Sequence, residues 1–456
     1  MAIQLVLPQM FTRVEREGVV NGEAIGDPTS EETRCPRHET AHTGLGLLQA
    51  VLTRENLLTA MKRVRANKGA AGVDGLDIDQ TAQHLVKAWP SIRQALLAGT
   101  YRPSPVRRVL IPKPDGSQRE LGIPTVTDRL IQQALLQVLQ PLLDPTFSDH
   151  SYGFRPGRRA QDAVLAAQSY VQSGRRIVVD VDLEKFFDRV NHDILIERLQ
   201  KRVPDAGIIR LVRAYLNSGI MDDGVVMERQ KGTPQGGPLS PLLANVLLDE
   251  VDKELERRGH CFARYADDCN VYVHSRRAGE RVMKLLRRLY ARLRLKVNET
   301  KSAVTSVFAN RKFLGFSFWV APKGVVKCKV AAKALETFKQ RIRQLTRRTG
   351  GRSMQQVVEQ LRSYLLGWKG YFRLSQTPGV WQKLDEWIRH RLRAIQLRQW
   401  RRGKTIFREL RALGASEIVA QRVAANNRHW WRNSRMLLNS VLTLDWFDRL
   451  GLPRLS

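Results

Sequence analysis

The chain has 456 residues, of which 43% are apolar, so it is long enough for several packed domains and too apolar for disorder throughout. Lysine and arginine total 76 against 44 acidic residues, and the formal net charge of +32 predicts a polyanionic partner, with nucleic acid as the leading candidate. No apolar run approaches the roughly 20 residues that cross a bilayer, and the four cysteines include no C-x-x-C pair. A membrane-spanning protein and a disulfide scaffold are excluded, and a reduced, cytoplasmic location is predicted.

Charge is distributed unevenly along the chain. Residues 1–45 carry four arginines, seven acids and no sustained apolar period, which predicts a flexible leader. Residues 331–456 carry 26 basic residues, eight acids and seven of the nine tryptophans. Arginine-rich stretches such as 389–402 are typical of helices that contact phosphates while they pack, although a solvated basic surface is the alternative. The tryptophans are expected mainly to fill the core of this tail.

The first local signal in chain order is a hairpin at residues 107–125. The β-prone residues 109–111 lead into a Pro-Asp-Gly turn at 114–116, and Lys113 and Arg119 flank that turn. Taken alone, both side chains are explained as solvent-exposed hairpin charges.

Two acidic clusters follow. In the strand predicted within residues 177–188, alternation of side chains puts Asp180 and Asp182 on one face. Farther along, Asp267 and Asp268 lie between β-prone segments, which predicts a hairpin with acids at its turn. Taken alone, the second pair is explained as well by capping of a turn.

These clusters are 85 residues apart, counted from Asp182 to Asp267, so only tertiary pairing of strands can join them. Ionised carboxylates repel one another, and a divalent cation bound between them removes that cost most readily. Magnesium is therefore the predicted occupant of a joint site.

A helix is predicted between the two clusters. Ser240 and Pro241 suit its N-cap and first residue, and Gly259 suits its end. One face is apolar because leucine or valine recurs every four residues, at positions 243, 247, 251 and 255. This face predicts a helix that packs against the strands.

Three motifs occur in order: VDLEKFF at 181–187, TPQGGPLSPLLANVLLDEVD at 233–252 and YADD at 265–268. With these motifs the chain resembles, from about Arg54 to its C-terminus, the reverse transcriptases encoded by group II introns, which are also maturases for their intron RNA. The resemblance implies an α/β fold of the right-hand polymerase type, with fingers, palm and thumb. A mostly α-helical, basic maturase region is implied to follow.

The same resemblance implies a division into domains. Fingers and palm would occupy residues 46–330, thumb and maturase domain 331–415, and a short RNA/DNA-binding segment 416–456. Many relatives continue into a zinc-dependent endonuclease with paired cysteines, and no such domain is expected here. Priming from an existing DNA 3′ end is therefore the expected route for mobility.

Catalytic and metal-binding residues are implied by the matching motifs. Asp182, Asp267 and Asp268 would be the catalytic acids and metal ligands, joined by the backbone carbonyl of Leu183. Two magnesium ions about 4 Å apart would activate a primer hydroxyl and stabilise the leaving pyrophosphate. The role of Asp180 stays open.

Four residues are implied to bind the incoming nucleotide. Lys113 and Arg119 would grip its triphosphate, for which a point charge and a planar fork are suited. Phe187 would lie beneath the sugar, where its ring disfavours a ribose 2′-hydroxyl, and Gln235 would lie near the nascent base pair. A core aromatic is the alternative for Phe187, and a structural turn is the alternative for Gly236 and Gly237, which follow Gln235.

Primer and template contacts are implied at two further places. Arg155 and Arg158 flank turns suited to template phosphates. Phe313, Leu314 and Gly315 match the family's grip on the primer strand, although a short buried strand with glycine would look the same.

The implied function is that of an RNA-directed DNA polymerase that copies group II intron RNA and acts as a maturase in its splicing and mobility. The implied partners are intron RNA, a DNA target and primer, and deoxynucleoside triphosphates. Two alternatives stay open: a splicing-only, RNA-binding maturase with a vestigial polymerase site, and a domesticated reverse transcriptase in DNA repair or phage defence.

Overall fold

The structure is a computed structural model that describes residues 46–112, 118–222, 225–227, 231–233, 236–309, 311–348 and 350–456. The predicted leader therefore lies outside the described residues, and so do Lys113 and Gln235. Arg119 is described in its backbone alone. No helix in the described ranges is long and apolar enough to cross a membrane.

The chain divides into two compact units. The first unit, within the described residues, comprises the chain up to Arg159 together with Val179–Val271 and Arg277–Val304. The second unit comprises Ala160–Val178, Tyr272–Arg276 and Thr305–Ser456. Each unit is described by itself below.

Helices of the first unit enclose an apolar core. Their bounds are α1 Leu47–Val51, α2 Arg54–Ala66, α3 Ile78–Ala98, α4 Val126–Leu143, α6 Phe186–Arg189, α7 His192–Gln200, α8 Ala206–Asn217, α9 Ser240–Arg257 and α10 Arg276–Arg292, whose first residue belongs to the second unit. The central helix is α4, which packs against α1, α2 and α9. Asp77 and Gln80 form a capping box that fixes the start of α3, and Gly99 ends this helix with a φ of 73°.

The helix predicted after the first acidic cluster is α9, and its predicted apolar face is buried. Its start differs by one residue, because Ser240 is already helical and Leu239 occupies the N-cap. The Ser240 hydroxyl accepts a hydrogen bond from Thr233 Oγ1 at 2.9 Å instead of capping the helix. The Ser240 hydroxyl thus bonds to Thr233, outside the helix, rather than to a backbone N–H in the first turn of α9.

A four-stranded sheet of the first unit has the order β2-β1-β4-β5, with β1 Val106–Pro112, β2 Gln118–Ile123, β4 Ile220–Asp222 and β5 Val225–Met227. The predicted hairpin is confirmed, because β1 and β2 are antiparallel with Ile111 opposite Arg119. Strand β4 then pairs parallel to β1. The hairpin is therefore anchored to the unit at its open end.

The strands that carry the acids form a second sheet, with the order β6-β7-β3-β8. Its strands are β3 Ile177–Val181, β6 Cys261–Tyr265, β7 Asp268–Val273 and β8 Ala303–Ser306. Both the predicted strand and the predicted acidic hairpin are present. Val179 and Val181 are buried on one face of β3, and Val178 is buried on the opposite face.

The second unit is mostly helical. Its remaining elements are α5 Ala160–Gln172, β9 Phe316–Val320, β10 Val326–Val330, α11 Ala332–Leu345, α12 Met354–Tyr371, α13 Pro378–Trp400, α14 Gly403–Ala412, α15 Glu417–Ala425, α16 Trp430–Met436 and α17 Leu444–Arg449. Strands β9 and β10 form an antiparallel hairpin. The ring of Trp368 lies 4.2 Å from that of Phe338 and 5.1 Å from that of Trp381, so aromatic side chains do help to fill this core.

Candidate active site

Two contacts show that β3 and β7 run antiparallel. With its nitrogen turned towards the acid, the side-chain amide of Asn270 donates to Oδ1 of Asp180 over 3.0 Å. Gly174 precedes β3 and His274 follows β7, and a Cβ on the glycine would lie 3.8 Å from the histidine ring. The two strands therefore run in opposite directions, and the Asp180–Asn270 contact sets their register.

This alignment brings Asp182 and Asp268 together. Asp182 is two residues beyond Asp180, and Asp268 is two residues before Asn270, so alternation puts both acids on one face. Direct or diagonal neighbours on one face of antiparallel strands have Cβ atoms about 5–8 Å apart. Asp182 is half-buried and Asp268 is exposed, so the two carboxylates open towards solvent.

Asp267 lies in the turn of the acidic hairpin, and a tight backbone holds that turn. Ala266 has a φ of 58°, and a Cβ on Gly153 would come within 2.3 Å of the Ala266 nitrogen. The contact leaves no room for a side chain at Gly153. Asp267 is half-buried at this position, beside the exposed Asp268.

A buried ion pair supports the hairpin from within the unit. The guanidinium of Arg264 is 2.6 Å from a carboxylate oxygen of Asp252, and it also donates to the Ala266 carbonyl at 2.8 Å. Burial by itself lowers the pKa of Arg264, but the Asp252 carboxylate more than offsets this effect and holds the pKa above its usual value. Sequence analysis missed both residues, since a strand arginine and a helix aspartate carry no signal of their pairing.

The backbone at Leu183 is free to offer an oxygen. Leu183 forms an isolated antiparallel bridge with Val297, in which Asn298 N–H donates to the Asp182 carbonyl and Glu184 N–H donates to the Lys296 carbonyl. This ladder uses the carbonyl before Leu183 and the N–H after it. The Leu183 carbonyl therefore lies outside these bonds, beside the acid at Asp182.

A lysine partly neutralises the first acid. The ammonium of Lys301 lies 3.8 Å from Oδ2 of Asp182, and Ser302 Oγ accepts from the Asp182 N–H at 3.0 Å. Within the described ranges, no group of three or more His, Cys, Asp or Glu side chains is placed to hold a metal ion. The arrangement is thus a pair of facing carboxylates with a third acid in the adjoining turn, rather than a closed cage. Its donors are all oxygens, which suits a hard divalent cation.

A cavity of about 520 Å³ lies in the first unit, and Phe187 and two glycines line it. A Cβ on Gly236 would lie 2.6 Å from the Gly122 carbonyl oxygen, and a Cβ on Gly237 would lie 2.4 Å from Oε1 of Gln132. Gly236 is therefore required by close approach of the backbone, whereas the contact at Gly237 is with the end of a side chain that can shift. Phe187 is half-buried, unlike the buried Phe186 beside it, so the Phe187 ring is the one available to a ligand.

Arg129 also lines this cavity, and sequence analysis missed it. The residue is only 9% exposed, and its Nη2 donates to the Ala70 carbonyl at 2.7 Å. Its Nε has no hydrogen-bond partner among the described residues, and burial lowers its pKa. The one sequence signal for Arg129 is its position within a largely buried stretch of α4, and this position belongs to none of the three motifs.

The two arginines predicted to contact the template differ. All five N–H donors of Arg155 are used by Asp144 and by the carbonyls of Asp144, Ser148 and Ser151. The guanidinium of Arg155 therefore braces this loop, and a template phosphate would have to replace one of these hydrogen bonds to make the predicted contact. Arg158 is more open: it pairs with the exposed Asp149 at 2.6 Å.

The predicted primer grip is a tight turn of the second unit. Leu314 and Gly315 have φ values of 50° and 80°, and Phe313 is buried. The hydroxyl of Tyr371 donates to the Leu314 carbonyl at 3.0 Å, and a Cβ on Gly315 would lie 3.2 Å from the Phe372 ring. Helix α12 thus shapes this turn.

Comparison with known families identifies the class of protein. A family model described as reverse transcriptase (RNA-dependent DNA polymerase) matches residues 111–318, which include Asp182, Asp267 and Asp268. The chain therefore contains a reverse transcriptase domain, and the predicted α/β polymerase fold is confirmed. A second model, described as group II intron, maturase-specific domain, matches residues 335–414. With both domains in this order, the chain combines a reverse transcriptase domain with a group II intron maturase-specific domain, the two domains that its motifs implied.

Individual relatives agree with this assignment. Protein YkfC of Escherichia coli (strain K12) is 36% identical over 218 residues, which are 46% of this chain and 57% of that protein. Group II intron-encoded protein LtrA of Lactococcus lactis subsp. cremoris is 38% identical over 197 residues, which are 42% of this chain and 32% of that protein. The chain thus matches about a third to three-fifths of the length of these curated relatives. Among solved structures, a chain of a partial Cas6-RT-Cas1–Cas2 complex covers 54% of this chain and 43% of its own length, with 24% identity and a TM-score of 0.36.

Proposed function

We propose that the protein is an RNA-directed DNA polymerase that reverse transcribes group II intron RNA and assists the splicing and mobility of that RNA as a maturase. The observation that carries the proposal is the placement of Asp182 and Asp268 on one face of paired strands within a reverse transcriptase domain. The maturase-specific domain at residues 335–414 supports the second activity. Intron RNA, a DNA target and primer, and deoxynucleoside triphosphates would be its partners, in the cytoplasm.

Reverse transcriptase domains generally use divalent metal ions, and we assign two magnesium ions to this chain. Asp182, Asp267, Asp268 and the Leu183 carbonyl would hold them, since these four supply only oxygen donors. When bound, such ions lower the pKa of a primer 3′-hydroxyl and offset the charge that develops on the leaving pyrophosphate. Lys301 would shield the Asp182 carboxylate in the metal-free protein, because the two groups are 3.8 Å apart.

The cavity of about 520 Å³ would receive the incoming deoxynucleotide. Phe187 would select the sugar, because its half-buried ring lines this cavity and would clash with a ribose 2′-hydroxyl bound beside it. Lys113 and Arg119 would bind the triphosphate, and Gln235 would contact the nascent base pair. These three assignments depend on the motif match.

The remaining assignments follow the order of the chain. Residues 46–330 would form fingers and palm, 331–415 the thumb and maturase domain, and 416–456 a short RNA/DNA-binding segment. Arg158 would contact the template, and the turn at 313–315 would hold the primer strand. Arg155 would position this loop through its five hydrogen bonds.

The test is a set of carboxylate-to-amide variants assayed for two activities. Asp182→Asn and Asp267→Asn should each reduce primer extension on an RNA template by more than about 100-fold, because a metal ligand is lost. Binding of the RNA that co-purifies with the wild-type chain should persist, since one carboxylate contributes little to phosphate attraction.

The matched control is Asp193→Asn. This aspartate has a side chain that is 79% exposed and pairs only on the surface, with Arg213. Primer extension by the control should equal that of the wild type. Normal extension by both active-site variants would show that the catalytic acids have been assigned wrongly.

A further inference from the structure

A second, larger cavity lies wholly within the second unit, along helices α13 and α16. Its volume is about 920 Å³. The charged side chains in its lining are four cations, Lys383, Arg389, Arg393 and Arg435, and two carboxylates, Glu386 and Asp445. The balance is positive, so the cavity favours an anionic ligand.

Two of these cations are buried. Arg389 and Arg393 are each only 7% exposed, and they lie four residues apart on one face of α13. Burial lowers the pKa of both side chains, to about 10 for Arg393, where the neighbouring Arg389 adds to the effect. Two buried guanidinium groups one turn apart on a helix would be stabilised by an anion placed between them.

The hydrogen bonds of the two arginines differ. Arg393 Nε donates to the Leu442 carbonyl at 2.9 Å, which fixes that guanidinium. Arg389 Nε is buried and has no hydrogen-bond partner in the part of the chain that the structure describes. A buried charged donor without an acceptor costs free energy, and a phosphate oxygen in the cavity would satisfy it.

An aromatic platform adjoins these charges. Trp431 lines the cavity and is 46% exposed, in contrast to the buried tryptophan expected from composition. The His390 ring supports it, with ring centroids 3.6 Å apart and His390 Nε2 at 2.9 Å from the Trp431 carbonyl. An exposed indole held in place beside arginines is suited to stacking on a nucleobase.

We propose that this cavity binds one unpaired nucleotide of RNA, with its phosphate at Arg389 and Arg393 and its base stacked on Trp431. Asn439 and Thr443 line the same cavity and offer polar groups to the ribose or the base edge. A free phosphate would engage the arginines and leave the indole unused. The inference rests on the proposed function in one respect, namely that RNA is the polyanion that this chain binds.

The test uses the full chain and a fluorescently labelled 12-nucleotide single-stranded RNA of mixed sequence. Arg389→Gln and Trp431→Ala should each weaken the affinity measured by anisotropy about 10-fold, since loss of one stacked base or one buried phosphate contact has roughly this effect. Trp431→Phe should recover most of the loss by restoring a ring. Arg435→Gln, which removes an exposed lining charge, should weaken binding even if Arg389→Gln fails to fold.

The charge control is Arg408→Gln, whose side chain is 74% exposed and lies outside the cavity lining. Its affinity should stay within about twofold of wild type, because one surface charge has a small effect. A loss equal to that of Arg389→Gln would indicate bulk charge and would overturn the proposal. Wild-type affinity in Trp431→Ala and Arg435→Gln, both with unchanged melting temperatures, would overturn it as well.

Two further experiments distinguish a bound nucleotide from a bound anion, and a failure of the cavity proposal from a failure of the proposed function. If inorganic phosphate competes fully and Trp431→Ala has no effect, the cavity holds an anion only and the nucleotide proposal fails. Replacing the probe by DNA of the same sequence should weaken binding, because the 2′-hydroxyl is lost. Failure of the wild-type chain to extend a primer on RNA would contradict the proposed polymerase, whereas failure of the cavity variants to change affinity leaves that activity intact.

Discussion

The buried arginines beside the acidic hairpin of the first unit and those beside the cavity of the second unit have different partners. In the first unit, Arg264 is 1% exposed and ion-paired with the fully buried Asp252, and all the N–H donors of Arg155 bond to acceptors in one loop. In the second unit, Arg389 and Arg393 are buried to a similar degree, yet they line a cavity in which cations outnumber carboxylates. Their lowered pKa values report the cost of that arrangement.

The difference teaches how each region uses charge. A buried ion pair that is fully hydrogen-bonded fixes a shape, because breaking it strands the other charge. A buried arginine that lines a cavity with more cations than carboxylates can offer its charge to an anionic ligand. The ion pair therefore fixes the acidic hairpin of the first unit, while the cavity of the second unit has a positive balance of charge.

The largest expected effect is the loss of the Arg264–Asp252 pair. Arg264→Met leaves the Asp252 carboxylate buried without its partner and should lower the free energy of unfolding by about 3–5 kcal/mol. Urea denaturation measures this change. The double variant Arg264→Met/Asp252→Leu should be clearly more stable than the single one, and equal stability of the two would show that the ion pair does not brace the hairpin.

A smaller effect is expected where the hairpin meets its neighbouring loop. Gly153→Ala puts a Cβ 2.3 Å from the Ala266 nitrogen, so the turn must shift, at a cost of about 1–3 kcal/mol in the free energy of unfolding. Primer extension should fall too, because Asp267 lies in that turn. Gly370→Ala is the control: it lies in α12 with open space around it, and it should leave stability unchanged or slightly higher.

The next-largest effect is expected on the preference for deoxynucleotides over ribonucleotides. Phe187→Ala removes the ring that lines the cavity and should narrow the preference for deoxynucleotides over ribonucleotides by about 10- to 100-fold. Single-nucleotide incorporation kinetics measure the ratio of kcat/KM values. Phe186→Leu serves as a control, since that buried side chain packs in the core and should affect stability rather than the ratio.

The smallest effect is a pH dependence in the second unit. Burial first, and then Arg435, Arg393 and Arg391, lower the pKa of His390 below 6.5. The unfolded chain therefore binds a proton more readily, so the stability contribution is present above pH 6.5 and is lost as the pH falls towards the folded pKa.

Unfolding at pH 7.5 and pH 5.5 measures this contribution. His390→Gln should lose less stability than wild type over this interval, by less than about 1 kcal/mol because the ring is partly exposed. A wild-type loss no greater than that of the variant would show that His390 stays uncharged in both states, or charged in both.

Much of the local structure could be read from the sequence. Alternation placed Asp180 and Asp182 on one face of β3, and the four-residue repeat gave the buried face of α9. The Pro-Asp-Gly signal predicted the hairpin of β1 and β2, and the motifs identified the reverse transcriptase family before any geometry was known. These features depend on neighbours within a few residues, so periodicity and turn chemistry are sufficient to find them.

Tertiary structure decided the rest. Asp182 and Asp268 meet only because β3 pairs with β7 across 85 residues of chain, and Arg155 proved to brace a loop because its acceptors come from three separate residues. Trp431 is exposed because it lines the open cavity, where His390 covers part of its ring. The order of polar and apolar residues determined which face of each element could be buried. Burial, strand pairing and cavities depend on contacts between distant segments, which no local pattern encodes.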